Sequence, residues 1–104
     1  MNNIKKLLND IIIVGGKKFI YLINNYELIN KIEINSECYS ICYLNDGSIL
    51  TGDKKGYIKK WNLNNYELKL IEENKVHDNS ILVISQLKDG LLLSGSEDTK
   101  INIY

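Results

Sequence analysis

The sequence predicts an all-β protein assembled from a repeated unit. Three observations carry that prediction: a self-match at a fixed offset, short apolar segments set off by turn dipeptides, and no sustained helical periodicity. Asp46-Gly47 returns as Asp89-Gly90, Thr51-Gly52 as Ser94-Gly95, Ile58 as Ile101 and Trp61 as Tyr104, all at an offset of 43 residues. Four anchors that agree without a gap define a unit of that length. The N-terminal part is a weaker and shorter copy. Asn24-Asn25-Tyr26-Glu27-Leu28 returns verbatim as Asn64-Asn65-Tyr66-Glu67-Leu68, and Leu8-Asn9-Asp10 resembles Leu44-Asn45-Asp46. The smaller offsets of 40 and 36 place the length variation in the turns, where repeats vary most easily.

Each unit divides into up to four short strands rich in Ile, Leu, Val and Tyr, separated by Asp-Gly, Asn-Asn or Gly-Lys turn chemistry. In the first unit, residues 1–35, strands are expected over 4–8, 11–14, 18–23 and 27–34. In the second, residues 36–76, they are expected over 38–44, 48–51, 57–63 and 67–71. In the third, residues 77–104, three are expected, over 81–87, 91–94 and 100–104, with no outer strand. Ile81-Leu82-Val83-Ile84 and Leu91-Leu92-Leu93 are apolar at consecutive positions. Strands of that kind are covered on both faces, so each small sheet is expected to be sandwiched between neighbours. Leu28, Ile32 and Ile34 alternate with polar residues, as an outer strand near solvent does.

Composition narrows the function. Thirteen lysines balance thirteen acidic residues, and arginine, alanine and proline are absent. A chain of zero net charge has no global field for nucleic acid or an anionic membrane. The missing arginine removes the planar fork that recognises phosphate and carboxylate in bidentate fashion. No segment approaches the roughly 20 apolar residues of a membrane span, and the start of the chain is too polar for a signal peptide. Two cysteines, Cys38 and Cys42, are expected to be free thiols of a reducing compartment, cytoplasmic or nuclear rather than secreted.

The residues from His77 to the end of the chain resemble a WD40 repeat. They carry a histidine before the first strand, the Asp89-Gly90 turn, the run Ser94-Gly95-Ser96-Glu97-Asp98 and an apolar strand closing on Tyr104, where the family has tryptophan. The middle copy keeps Trp61 and Thr51 but has Lys55 at the turn-aspartate position and no preceding histidine. The resemblance implies a fold of WD40-like β-propeller blades, four-stranded antiparallel meanders in an incomplete ring. It also implies a hydrogen-bonded structural network: His77, Ser94, Asp98 and Tyr104 in the third copy, and Thr51 and Trp61 in the second, whose turn should be looser. Propeller blades bury their faces on one another. A chain of two and a half repeats is therefore expected to be a fragment of a larger propeller, to pair with copies of itself or a complementary piece, or to be a short arc that folds alone with adaptations.

For function, the resemblance implies a non-catalytic scaffold that binds other proteins or peptides. The candidate partner-binding rim is Glu37, Lys54, Lys55, Asn79 and Glu97, in the turns before the first strand and between the second and third. The alternative is an RNA- or phosphoinositide-binding propeller that uses lysine turns, including Lys17-Lys18 and Lys54-Lys55. A hydrolase built on His77, Asp98 and Ser94 is disfavoured because Ser94 falls inside a strand with no strained elbow. A metal site at Cys38, Cys42 and His77 is disfavoured because both thiols occupy core positions. No catalytic residue, metal or cofactor is expected.

Overall fold

The structure, a computed structural model, describes residues 3–103. Among the described residues eleven strands form three antiparallel sheets, each a meander in chain order. The first sheet contains β1 (Ile4–Lys6), β2 (Ile12–Gly15), β3 (Phe19–Asn24) and β4 (Glu27–Glu33). The second contains β5 (Cys38–Tyr43), β6 (Ile49–Asp53), β7 (Tyr57–Asn64) and β8 (Glu67–Lys75). The third contains β9 (Ile81–Gln86), β10 (Leu92–Ser96) and β11 (Ile101–Ile103). The sheets stack face to face: β1 and β2 lie against β5, and β5 and β6 lie against β9. The ring is not closed.

Turn chemistry sets the meanders. The repeated Asn-Asn-Tyr-Glu-Leu run makes the β3–β4 and β7–β8 hairpins, with Asn25 and Tyr26 at φ 51° and 63° and Asn65 and Tyr66 at 52° and 63°. Two consecutive left-handed residues twist the chain in the sense that antiparallel neighbours need. The two hairpins also touch: Asn30 Nδ2 donates to the Tyr66 carbonyl at 3.0 Å. In the Asp46-Gly47 turn the carboxylate accepts the Ser48 N–H at 2.9 Å, and Asp89 accepts the Leu91 N–H at 3.2 Å.

Two apolar layers hold the stack. Between the first and second sheets lie Ile13, Ile20, Leu22, Ile41, Ile49 and Trp61, with Ile32 and Ile34 packed beside them. Between the second and third lie Cys42, Leu44, Leu50, Ile58, Ile81 and Ile84. Every residue of β6 is buried, since among the described residues this sheet alone is covered on both faces. Repeat-equivalent residues show what the covering does. Ile58 is 7% exposed under the third sheet, whereas Ile101, its counterpart at the same offset, is 69% exposed on the outer face of that sheet.

Several strand limits differ from expectation for identifiable reasons. The first strand stops at Lys6, and Leu8–Asp10 forms a 3-10 turn with Asn9 and Asp10 left-handed. Strands β6 and β10 run on through their glycines to Asp53 and Ser96. Gly52 pairs with Ser40 and Ile58, and glycine is required there because a Cβ would sit 2.5 Å from Ser40 Oγ and 2.6 Å from Ile81 Cγ2. Strand β8 continues to Lys75 through residues too polar to read as strand; Glu73 and Glu72 stand opposite Lys59 and Lys60 in the register, and such cross-strand charge pairs support the ladder. The expected end of the last strand at Tyr104 lies outside the described residues.

Gly56 and Thr99 occupy the same turn in successive repeats. Gly56 has φ 91°, and a Cβ would fall 2.0 Å from the His77 carbonyl oxygen, which leaves no room for a side chain. Thr99 holds φ 71° with a β-branched side chain, a conformation that costs about 1–2 kcal/mol. Gly56→Ala is expected to lower the free energy of unfolding by at least about 2 kcal/mol. Thr99→Gly is expected to raise it by roughly 0.5–1 kcal/mol, the strain relief less the added unfolded-state entropy. Equilibrium urea unfolding of both variants measures this.

Candidate functional site

Two features are built on the turn between the second and third strand of each sheet: a buried polar network beneath it and a polar ledge above it.

The network of the third sheet joins three residues from separate elements. His77 lies just before β9, Ser94 in β10, and Asp98 in the turn leading to β11. His77 Nδ1 is 2.9 Å from Asp98 Oδ2, and Nε2 is 2.9 Å from Ser94 Oγ. An ionised carboxylate only accepts, so Nδ1 carries the proton; in the neutral ring Nε2 then accepts the Ser94 hydroxyl. Asp98 also accepts the Asp78 N–H at 3.0 Å and the Lys100 N–H at 2.9 Å. Burial pushes the Asp98 carboxyl up, but the hydrogen bonds from Lys100, Asp78 and His77 outweigh it and hold the group down at about 2. The connectivity is that of a Ser-His-Asp triad. Its accessibility is not: Ser94 is 0% and His77 3% exposed. Tyr104, assigned to this network from sequence, lies outside the described residues.

The second sheet solves the same problem with different residues. Trp61 Nε1 donates to Thr51 Oγ1 at 3.0 Å, inside the layer shared with the first sheet. The expectation of a loose turn here is corrected. Lys55 stands at the position of Asp98, yet the carboxylate is supplied by Asp53, two residues earlier. Asp53 Oδ1 accepts the N–H groups of both Lys55 at 2.9 Å and Tyr57 at 3.0 Å. In the third sheet the same two donors are divided: Ser96 Oγ takes the Asp98 N–H at 3.1 Å and Asp98 takes that of Lys100. One carboxylate thus replaces two side chains. Ile34 holds the repeat position of His77 and packs on the core, so no imidazole is needed. Lys59, itself buried, donates from Nζ to Asn35 Oδ1 at 2.9 Å and lies 4.0 Å from Asp53 Oδ2.

The ledge contains the five rim residues. The Lys54 N–H donates to the Glu37 carbonyl at 2.9 Å, and Ser80 Oγ donates to the Lys54 carbonyl at 3.2 Å. The Glu97 N–H donates to the Ser80 carbonyl at 3.1 Å, and Ser96 Oγ donates to the Asn79 carbonyl at 3.2 Å. The structure therefore brings Glu37, Lys54, Asn79 and Glu97 onto one continuous edge, with Lys55 beside them in the same turn. Lys54, Lys55, Asn79 and Glu97 are exposed and Glu37 is half-buried. The first sheet extends the ledge, since the Cys38 N–H donates to the Gly16 carbonyl at 3.0 Å beside exposed Lys17 and Lys18. Sequence reasoning missed Ser80 and Asp53. Ser80 aligns with Glu37 and so carried no pattern; Asp53 could have been found by asking which nearby carboxylate reaches the turn amides.

Cys38 and Cys42 are free and buried. Burial drives the Cys38 thiol up to about 12, offset only in part by a hydrogen bond from the Ser40 backbone, and raises Cys42 as well. Thiols so protonated are poor nucleophiles. Among the described residues no three His, Cys, Asp or Glu side chains cluster as a metal site.

The comparisons follow this geometry. No protein-family model matches the chain. A chain of the mitotic checkpoint complex superposes with a TM-score of 0.85 at 17% identity, covering 96% of this chain and 34% of that one. The WD40 β-propeller domain of Doa1 superposes with a TM-score of 0.80 at 19% identity, covering 92% of this chain and 33% of that one. The fold is that of WD40 β-propeller blades. Human echinoderm microtubule-associated protein-like 4 is 26% identical over 112 residues, which span 89% of this chain and 11% of that protein. The WD40-like chain thus spans about a third of the solved structures it matches and about a tenth of that relative.

Two outcomes are expected for the networks. The Asp98 carboxyl is lower in the folded state than its unfolded value near 4. Its contribution to stability is therefore complete above about pH 4 and is lost as pH falls toward about 2. Asp98→Asn should flatten that part of the acid-unfolding curve, followed by circular dichroism. Thr51→Val keeps the shape but leaves the Trp61 indole N–H unpaired in the core, and should cost about 1–3 kcal/mol by urea unfolding.

Proposed function

We propose that this chain forms part of a non-catalytic protein-interaction scaffold, and that its ledge of turns is the surface other proteins contact. The observation that carries the reading is the ledge itself. Its backbone is fixed by bonds that pass from sheet to sheet, while Lys54, Lys55, Asn79 and Glu97 remain exposed. A surface whose main chain is already ordered loses little freedom on binding. The likeness to propellers from a multiprotein complex and from Doa1 supports this reading at the level of fold. The burial of Ser94 and His77 supports a structural rather than hydrolytic role for the triad-like network. Two unbridged thiols support a reducing setting, cytoplasmic or nuclear.

Exposed lysines on two turns favour the alternative reading, binding to RNA or phosphoinositide. Glu37, Asp78 and Glu97 on the same edge count against it, since a run of phosphates would meet carboxylates.

The test is affinity capture by the chain with charge reversals at the ledge, Lys54→Glu with Lys55→Glu or Glu97→Lys, against a control reversal of exposed Lys69 on β8. Loss of captured proteins with the ledge variants alone is expected. Equal capture by all of them, or steeply salt-dependent capture of RNA in their place, overturns the reading.

A further inference from the structure

Strand β8 is the outer edge of the second sheet. It carries the two features that ordinarily keep an edge strand single, charged side chains and a bulge. Leu70 stands opposite Trp61 and Glu72 opposite Lys60, so Ile71 is the extra residue. Leu70 and Ile71 are apolar yet 42% and 45% exposed. Lys69 and Glu72 flank them, both exposed, and among the described residues neither forms an ion pair.

The bulge changes the face that each side chain takes. Before it, Leu68 belongs to the layer shared with the first sheet, and Leu70 takes the same face because Trp61 opposite lies in that layer. Glu67 and Lys69 therefore take the other face, toward the third sheet. After it, Asn74 stands opposite Ile58 of the layer shared with the third sheet. Asn74 and Glu72 thus face the third sheet and Glu73 faces the first. In a regular strand, residues three apart lie on opposite faces. Here Lys69 and Glu72 share one.

That sidedness fits a second copy of the same strand. Two edges pairing antiparallel about a two-fold axis need opposed residues on the same face. With the bulges opposed, Lys69 meets Glu72 of the second copy, Leu70 meets Ile71, Leu68 meets Glu73, and Glu67 meets Asn74. The first and the last two of these pairs share a face, and symmetry makes each pair twice. Sliding the pairing by two positions sets Glu67 against Glu72 in one direction and Lys69 against Asn74 in the other. Only the bulge-centred pairing joins opposite charges. Strand β4 does not offer this. Its bulge residue, Ile29, lies so close to the start of the strand that the same arrangement would pair only residues 27–30.

We propose that two copies of this chain associate edge to edge through β8, antiparallel, with Lys69 of each copy facing Glu72 of the other and Leu70 facing Ile71. The two copies then run in opposite directions, so their ledges face opposite ways and both stay open. No ledge residue lies on β8, so this proposal and the scaffold reading fail separately. An edge pairing is a small interface, and the dimer should be weak and concentration-dependent.

The experiment is sedimentation equilibrium of the full chain over a range of concentrations. A monomer–dimer equilibrium is expected. K69E or E72K alone turns both ion pairs into like-charge pairs and should weaken the dimer about tenfold. K69E/E72K exchanges the charges and should restore it. Circular dichroism verifies that each variant is folded. Cysteine pairing reads the alignment directly: under mild oxidation a mixture of K69C and E72C chains should give a disulfide-linked dimer that neither variant gives alone, nor the natural chain with its buried thiols. A chain that stays monomeric throughout overturns the proposal. So does association that the single reversals leave unchanged, as it would be if the open faces of the first and third sheets carried it. A folded K69E/E72K variant that stays as weak as the single variants, or K69C that links to itself as readily as to E72C, also overturns it.

Discussion

The structure depends on how closely one sheet can lie on the next. Ile81, fully buried, presses its Cβ and Cγ2 to where a side chain at Gly52 would have been, so β9 rests on the bare backbone of β6. Gly15 makes the same concession to Cys38 between the first two sheets. These approaches bring the apolar residues of facing strands into one layer, and burial of that layer is what makes strands of three to nine residues stable. A small sheet of this kind has no core of its own. Its core is the space it shares.

Close stacking then dictates the polar chemistry. Turns pinned between sheets have amide and side-chain groups that water cannot reach, and each must find a partner. The second and third sheets satisfy this with different residues. The third spreads the work over His77, Ser94, Ser96 and Asp98. The second concentrates it in Asp53 and in the Trp61–Thr51 bond, with Lys59 as a buried countercharge. A buried pair separated by 4.0 Å is a modest gain against desolvation, so Lys59 is best understood as compensating Asp53 rather than adding to stability. What the fold requires at this point is hydrogen-bonding capacity, not any one residue.

That explains which parts of the molecule were legible beforehand. Turn dipeptides and the verbatim Asn-Asn-Tyr-Glu-Leu run act locally, so the hairpins could be placed to within a few residues. Resemblance to the WD40 repeat pointed to His77, Ser94 and Asp98, whereas offset alignment within the chain returns only Ser94, as Thr51. Such alignment failed at Asp53, since the carboxylate reaches the same amides from two residues away and a position-by-position comparison sees only Lys55. It also cut β8 short, because the acidic end of that strand is held by lysines on the partner strand rather than by apolar burial. Ser80 was invisible for a related reason: its hydroxyl matters only through a carbonyl distant in the chain. Local chemistry was readable, and interactions that join different sheets were not.

The full enclosure of β6 has a kinetic consequence. Pairing within each sheet joins neighbours along the chain, so loops are short and closing them costs little entropy. Among the described residues the sheets differ in how many neighbours support them: one for the first, two for the second, one for the third. In such a linear array opening begins at the ends and moves inward. The amides of β6 should therefore be the slowest in the molecule to exchange with solvent, and the centre of the arc becomes the part whose opening requires the rest to let go first.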